Sequence, residues 1–242
     1  MTPAEYPAEV KTHTRPAVTL RPLVHYPESD GEPMAETDVH RDQLIDLLTA
    51  LKDHFRNDPQ VYVAGNLLLY YEEGNPQASV APDVFVVKGV PKGDRRIYKL
   101  WEEGQAPDVV FEITSASTRL QDLGPKKGLY EVLDVEEYFL FDPLEEYLAP
   151  PLMGYRLGEK GYRLVEERPL LSQVLGLELR VEEGRLRLYD RPTGRRLPTP
   201  AEEAEARRAA EARAAQEAEA RRAAEAEVAR LREELSRLQA AS

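Results

Sequence analysis

Asp83 and Asp108 each follow a proline and open a run of β-branched and aromatic residues, Val84-Phe85-Val86-Val87 and Val109-Val110-Phe111-Glu112-Ile113. Such runs read as buried strands. Alternate side chains of a strand point to opposite faces, so Asp108, Val110, Glu112 and Thr114 share one face and Val109, Phe111 and Ile113 the other. Glu112 therefore falls among apolar neighbours, where a carboxylate must take up a proton, pair with a cation or bind a metal. Asp108 and Glu112 are four residues apart on one strand, roughly 13 Å at about 3.3 Å per residue, too far to share an ion held at about 2.0–2.1 Å. Asp83 comes from another strand, and neighbouring strands lie only about 4.8 Å apart. Asp83 and Glu112 are the better pair.

Lys126 supplies a positive charge. Asp122, Lys126 and Tyr130 stand at i, i+4 and i+8, one face of a helix expected from Asp122 to about Asp134, with Asp122 as N-cap and Pro125 in its first turn. Two acids from adjacent strands and a lysine can hold Mg²⁺, activate a water and stabilise charge developing on a phosphate. The same residue types also occur as turn caps and simple ion pairs, and spacing alone leaves both readings open.

Several elements must position these groups. Val39, Leu44, Leu47, Leu48, Leu51 and Phe55 have helical spacing behind a cap at Thr37 or Asp38. Gln60 to Tyr71 reads as one strand with a possible bulge at Gly65-Asn66, and Ser79 to Lys88 as the strand that carries Asp83. Glu137 to Phe141 is a further buried strand. Tyr155–Leu157 with Tyr162–Val165, and Leu177–Val181 with Leu186–Tyr189, read as two auxiliary hairpins. Strands alternating with helices predict an α/β core. The long loop from Gly89 to Gln105 interleaves Arg95, Arg96 and Lys99 with Tyr98 and Trp101. Such a loop can contact nucleic-acid phosphates and bases, or anchor its aromatics in a neighbouring groove.

The ordered motifs carry a resemblance. Pro-Asp-Val at 82–84, Pro-Asp-Val-Val-Phe-Glu-Ile-Thr-Ser at 107–115, Ser-Thr-Arg at 117–119, Asp-x-x-x-Lys-x-x-x-Tyr at 122–130 and Val-x-Glu-Tyr-Phe-Leu-Phe-Asp-Pro at 135–143 occur in sequence. This set is similar to the bacterial putative restriction endonuclease family, a branch of the PD-(D/E)XK nuclease superfamily, over about Tyr26 to Leu188. The resemblance implies a mixed α+β sheet, a restriction-endonuclease-like core with flanking helices, and Mg²⁺- or Mn²⁺-dependent cleavage of DNA. It implies Asp83, Glu112 and Lys126 as catalytic residues, and Asp83, Glu112 and the backbone carbonyl of Ile113 as metal ligands. Glu36, near the first helix, is a further candidate ligand, or else joins His40 in a hydrogen-bond network at the helix start. Arg95, Arg96, Lys99 and Lys127 are the candidate nucleic-acid contacts. The superfamily's usual lysine would fall at Thr114, and Lys126 matches the helix lysine thought to replace it in this branch.

Composition narrows the field. Zero cysteines exclude disulfides, thiolate metal sites and cysteine nucleophiles, and the four histidines form no close ligand pair. Oxygen-ligand metals are favoured. Apolar runs stay short of the roughly 20 residues that span a membrane, and the early residues lack an apolar signal segment, so the expected location is cytoplasmic. The net charge of −12 counts against a constitutive DNA binder. Residues 1–27 read as an extended arm, 28–192 as the nuclease-like domain, and 200–242 as a charged helical tail. The tail holds 10 Glu and 8 Arg, so the remainder is itself acidic. Val228, Leu231, Leu235 and Leu238 give its end a coiled-coil spacing that suits a homo-oligomer, a dimer. The alternative reading is a binding or assembly protein on an inactive nuclease fold, acting through that helix.

Overall fold

Strands with both faces covered form the centre of the computed structural model, which describes residues 24–29 and 37–240. In chain order the elements are α1 (Asp38–His54), β1 (Val61–Ala64), β2 (Leu69–Tyr70), β3 (Ser79–Val80), β4 (Val84–Lys88), β5 (Tyr98–Lys99), α2 (Leu100–Glu103) and β6 (Val109–Ile113). There follow α3 (Arg119–Gln121), a π-helical turn (Asp122–Lys126), α4 (Lys127–Val132), β7 (Glu137–Phe141), β8 (Leu152–Gly158), β9 (Gly161–Leu164), β10 (Leu170–Ser172), β11 (Leu177–Glu182), β12 (Arg185–Asp190) and α5 (Pro200–Ala240).

The main sheet has the order β1-β4-β6-β7-β8-β9 and is mixed, β6–β7 being parallel and the other pairs antiparallel. Its two faces carry separate apolar clusters. On one, Phe111, Ile113, Phe139 and Phe141 pack beneath the leucine face of α1 and the sheet β10-β11-β12. On the other, Val110, Tyr138 and Leu140 pack with Tyr130 of α4 and with Leu69 and Tyr98 of the small sheet β3-β2-β5. The strand parity expected for β6 is the parity observed. Thr37 caps α1 by accepting from His40 N–H at 3.3 Å.

Four local expectations are corrected. The Gln60–Tyr71 strand is two strands in different sheets. Asn66, at φ 48°, turns the chain out of the main sheet while its N–H donates to the carbonyls of Pro82 and Asp83. Ser79–Lys88 is also split, because Pro82 has no N–H to add to a ladder, and Asp83 sits in the break just before β4. Asp122 is not an N-cap: the helix starts earlier, Arg119 N–H bonding to Ser115 carbonyl, and Asp122 lies inside it and is buried. Pro125 cannot donate the usual helical bond, which accounts for the wider π turn there. The β8–β9 hairpin is not auxiliary but extends the main sheet through β7, whereas β11–β12 belongs to the separate sheet.

The expected arm over 1–27 lies outside the described residues apart from 24–27, where Tyr26 stacks edge-on against Tyr70 at 5.0 Å. No helix among the described residues is long and apolar enough to cross a membrane.

Candidate active site

Antiparallel pairing of β4 with β6 sets Val84 opposite Phe111, which brings Asp83 beside Glu112 at the same sheet end. Two hydrogen bonds tie them. Ile113 N–H donates to Asp83 Oδ2 at 2.6 Å, and Asp83 N–H donates to Glu112 Oε2 at 3.4 Å. From α1, His40 Nε2 lies 3.4 Å from Asp83 Oδ2.

Glu112 is 1% exposed and its carboxylate is held from the helical side. Lys126 Nζ donates to Oε2 at 2.9 Å and the Tyr130 hydroxyl donates to Oε1 at 2.6 Å. Lys126 Nζ also lies 3.2 Å from Asp122 Oδ1. The π turn and α4 therefore place Asp122, Lys126 and Tyr130 over one strand residue, as their i, i+4, i+8 spacing allows.

Charge at this point is unbalanced. Asp83, Glu112 and Asp122, if all ionised, confront the ammonium of Lys126 with a surplus of negative charge in a region largely removed from water. Burial pushes the Glu112 carboxyl up to about 8, with Lys126 acting in the opposite direction. Burial likewise raises Asp122 against the pull of Lys126. Burial works against the Lys126 ammonium, but the carboxylates of Glu112, Asp122 and Asp83 outweigh it and hold its pKa above the ordinary lysine value. A cluster of this kind keeps a proton or takes up a cation.

Its donors fit a hard cation. Among the described residues no group of three or more His, Cys, Asp or Glu side chains has the arrangement of a metal site. An ion here would rest on two carboxylates, a backbone carbonyl and water, which is how Mg²⁺ is ordinarily bound. Glu112 Oε2 already accepts from Lys126 and from the Asp83 N–H, so the lone pair it has left to offer an ion is the second one on Oε1, beside the Tyr130 hydroxyl.

Residues 15–206 match the Uma2 family model, described as "Putative restriction endonuclease". The chain belongs to the Uma2 family. It is also similar to the crystal structure of a putative nuclease belonging to DUF820 from Anabaena variabilis ATCC 29413, at 17% identity and TM-score 0.43, covering 59% of this chain and 74% of that one. No curated protein matches it.

In this Uma2 chain the candidate nucleic-acid contacts are engaged by their own neighbours. Arg95 forms two bonds to Glu103, at 2.6 and 2.9 Å, and lies over the Tyr62 ring. Arg96 pairs with Glu28 at 2.5 Å, Lys99 with Glu102 at 2.9 Å, and Lys127 sits 4.5 Å from the Tyr155 ring centre. The Gly89–Gln105 loop is anchored, Tyr98 being fully buried with its hydroxyl on the Gln105 carbonyl. A cleft of about 650 Å³ runs along β1, lined in part by Lys52, Arg56, Lys92 and Arg95. At its Gly65 end it adjoins the Asp83 backbone. Thr114 is buried, and its hydroxyl has no hydrogen-bond partner among the described residues. Glu36 lies outside the described residues.

From the sequence, Asp122 reads as a cap and Tyr130 as sharing one helix face with Lys126. Their spacing with Lys126 is the signal that both face Glu112 or its lysine. His40 gives no such signal, since its approach to Asp83 joins parts of the chain that only the fold brings together.

Proposed function

We propose that this Uma2 protein is a metal-dependent endonuclease that hydrolyses DNA phosphodiester bonds, working in the cytoplasm. The observation that carries the reading is the meeting of Asp83, Glu112 and Lys126 at one sheet end. In this reading Asp83, Glu112 and the Ile113 carbonyl hold Mg²⁺ or Mn²⁺. The bound ion would lower the pKa of a water and neutralise charge on a phosphate oxygen.

The remaining work falls to the chain's own residues. Tyr130 and Lys126 fix the Glu112 carboxylate from one side, which leaves its orientation set before any substrate arrives. Among the described residues Lys126 is the one ammonium in contact with both Glu112 and Asp122, and in this reading it orients the attacking water and offsets charge on the phosphate. The bond between Ile113 N–H and Asp83 aligns Asp83 with Glu112. Lys52, Arg56 and Lys92 are the cleft's cations for a polyanion passing beside Asp83, since Arg95 is held by Glu103 and Asp94 lines the same cleft.

The test is nicking of supercoiled plasmid with Mg²⁺ or Mn²⁺, run on the protein and on Asp83→Ala and Glu112→Ala prepared identically, with metal binding followed by calorimetry. Metal-dependent nicking and metal binding lost together in both variants support the reading. Folded protein that binds neither metal nor nicks under any of these conditions overturns it.

A further inference from the structure

Helix α5 is built to leave the domain. Thr199 and Glu202 form a reciprocal cap, Thr199 N–H donating to Glu202 Oε2 at 2.9 Å and Glu202 N–H to Thr199 Oγ1 at 3.3 Å, with Pro200 in the first helical position. From there 41 residues of helix extend about 60 Å at 1.5 Å per residue. From Glu205 onward the described side chains are exposed. Near its end stand Val228, Leu231, Leu235 and Leu238, between 46% and 63% exposed.

Two features of the sequence define what covers them. The segment Ala-Glu-Ala-Arg-Arg-Ala-Ala-Glu-Ala occurs at 204–212 and again at 218–226, a repeat of 14 residues, or two heptads. One heptad phase therefore runs along the helix and places Ala224, Leu231 and Leu238 at d and Val228 and Leu235 at a. Earlier in the same phase Glu217 and Arg221 interrupt the seam, so it is confined to about 224–238. Val228 at a with Leu231 at d is the pattern that favours two parallel strands, while the second a position, Leu235, is not β-branched, so the orientation rests on the flanking charges.

Flanking charges choose the orientation. In a parallel, in-register pair each Glu227 at g faces Arg232 at e of the other copy, an attractive contact made twice by symmetry. The adjacent g–e contacts, Ala220 with Glu225 and Glu234 with Gln239, carry no repulsion. Reversing one helix about the same four apolar residues would instead set Arg232 against Arg232 and Glu234 against a glutamate of the other copy. Glu227 is now bonded to Arg230 at 2.7 Å, an exposed pair that contributes little and is readily exchanged.

We propose that residues 224–238 form a parallel, in-register two-stranded coiled coil with a second copy of this chain. The proposal does not depend on nuclease activity. The seam is short, so the dimer forms with concentration and couples two domains through the far ends of their long helices.

The full chain contains no cysteine, which makes the orientation directly testable. A single Leu231→Cys substitution should give a disulfide-linked dimer on mild oxidation, since d positions meet their own counterparts only in the parallel arrangement. The linkage should disappear when Leu235→Asp is added. Light scattering should show the mass rising from 27.4 kDa towards twice that value with concentration. Glu227→Arg and Arg232→Glu should each weaken the dimer, and the two together should restore it. All these positions lie on an exposed helix, so unchanged thermal unfolding of the domain confirms that folding is intact. A chain that stays monomeric at every concentration, a dimer indifferent to Leu235→Asp, or failure of Leu231→Cys to cross-link would overturn the proposal.

Discussion

The Tyr130 hydroxyl donates to Glu112 Oε1 at 2.6 Å, joining α4 to a carboxylate buried within the main sheet. Replacing Tyr130 by Phe keeps the ring within its apolar surroundings and removes only the donor. Leaving a buried carboxyl without one of its donors costs about 1–3 kcal/mol. Urea unfolding of Tyr130→Phe should show a loss in that range with an unchanged denaturant slope, and Glu112 should ionise less readily. No loss of stability would mean that this hydroxyl does not serve Glu112.

Lys126 contacts Glu112 and Asp122 together, so its removal leaves two buried acids facing each other without a cation. Breaking a buried pair from one side costs about 3–5 kcal/mol, and protonation of one acid relieves part of this. Lys126→Ala should therefore unfold at clearly lower urea than the parent in EDTA, and Mg²⁺ should raise the melting temperature of the variant more than that of the parent. Lys126→Arg should recover most of the stability yet still nick plasmid at least about tenfold more slowly, because a planar guanidinium does not reproduce a compact ammonium donor. Equal nicking by Lys126→Arg would remove Lys126 from the water-positioning role.

A pH dependence follows from Glu112. Burial pushes its carboxyl up to about 8 in the folded, metal-free protein, from an ordinary value of 4.5. Between these two values the folded state holds a proton that the unfolded state has released, so stability falls as pH rises through this window. Urea unfolding in EDTA at steps from pH 5 to pH 8 should show that fall, and Glu112→Gln, which has no proton to lose, should flatten it. Saturating Mg²⁺ should flatten it too, since a bound cation replaces the proton. A slope of the same size in Glu112→Gln would assign the effect to other groups.

The pairing of Asp83 with Glu112 was open to sequence reasoning because a carboxylate inside a Val-Val-Phe-x-Ile run is an anomaly that needs a partner. Strand alternation then decided the faces, and the structure carries Val110 and Phe111 to opposite clusters as that alternation requires. The departure of the chain at Gly65-Asn66 was not legible. It depends on the Asn66 N–H finding the Pro82 and Asp83 carbonyls, which are distant in sequence and pair only once the sheet has formed. The β8–β9 hairpin was equally ambiguous, since alternation specifies a hairpin but not the sheet edge it joins. The Tyr130 ring is part of the core, while its hydroxyl is the part that meets Glu112.

Gly65 gives the most local test of the site. A Cβ built there would lie 2.7 Å from the Asp83 carbonyl oxygen, closer than real Cβ atoms approach, and the obstacle is backbone. Gly65→Ala must therefore push apart β1 and the residue that carries the candidate ligand. Overpacking of this kind costs about 1–3 kcal/mol, and because the strain falls on Asp83 itself, metal affinity and nicking should drop further than stability does. Gly128→Ala is the matched control. Gly128 lies within α4, and a Cβ added to it would meet nothing within 4 Å, while alanine in a helix interior is favoured over glycine by about 0.5–1 kcal/mol. Gly128→Ala should raise the unfolding midpoint and leave nicking unchanged. If Gly65→Ala loses stability but binds metal and nicks in proportion to its folded fraction, Asp83 is not held by this contact and its position is set by its hydrogen bonds to Ile113 and Glu112 and by His40.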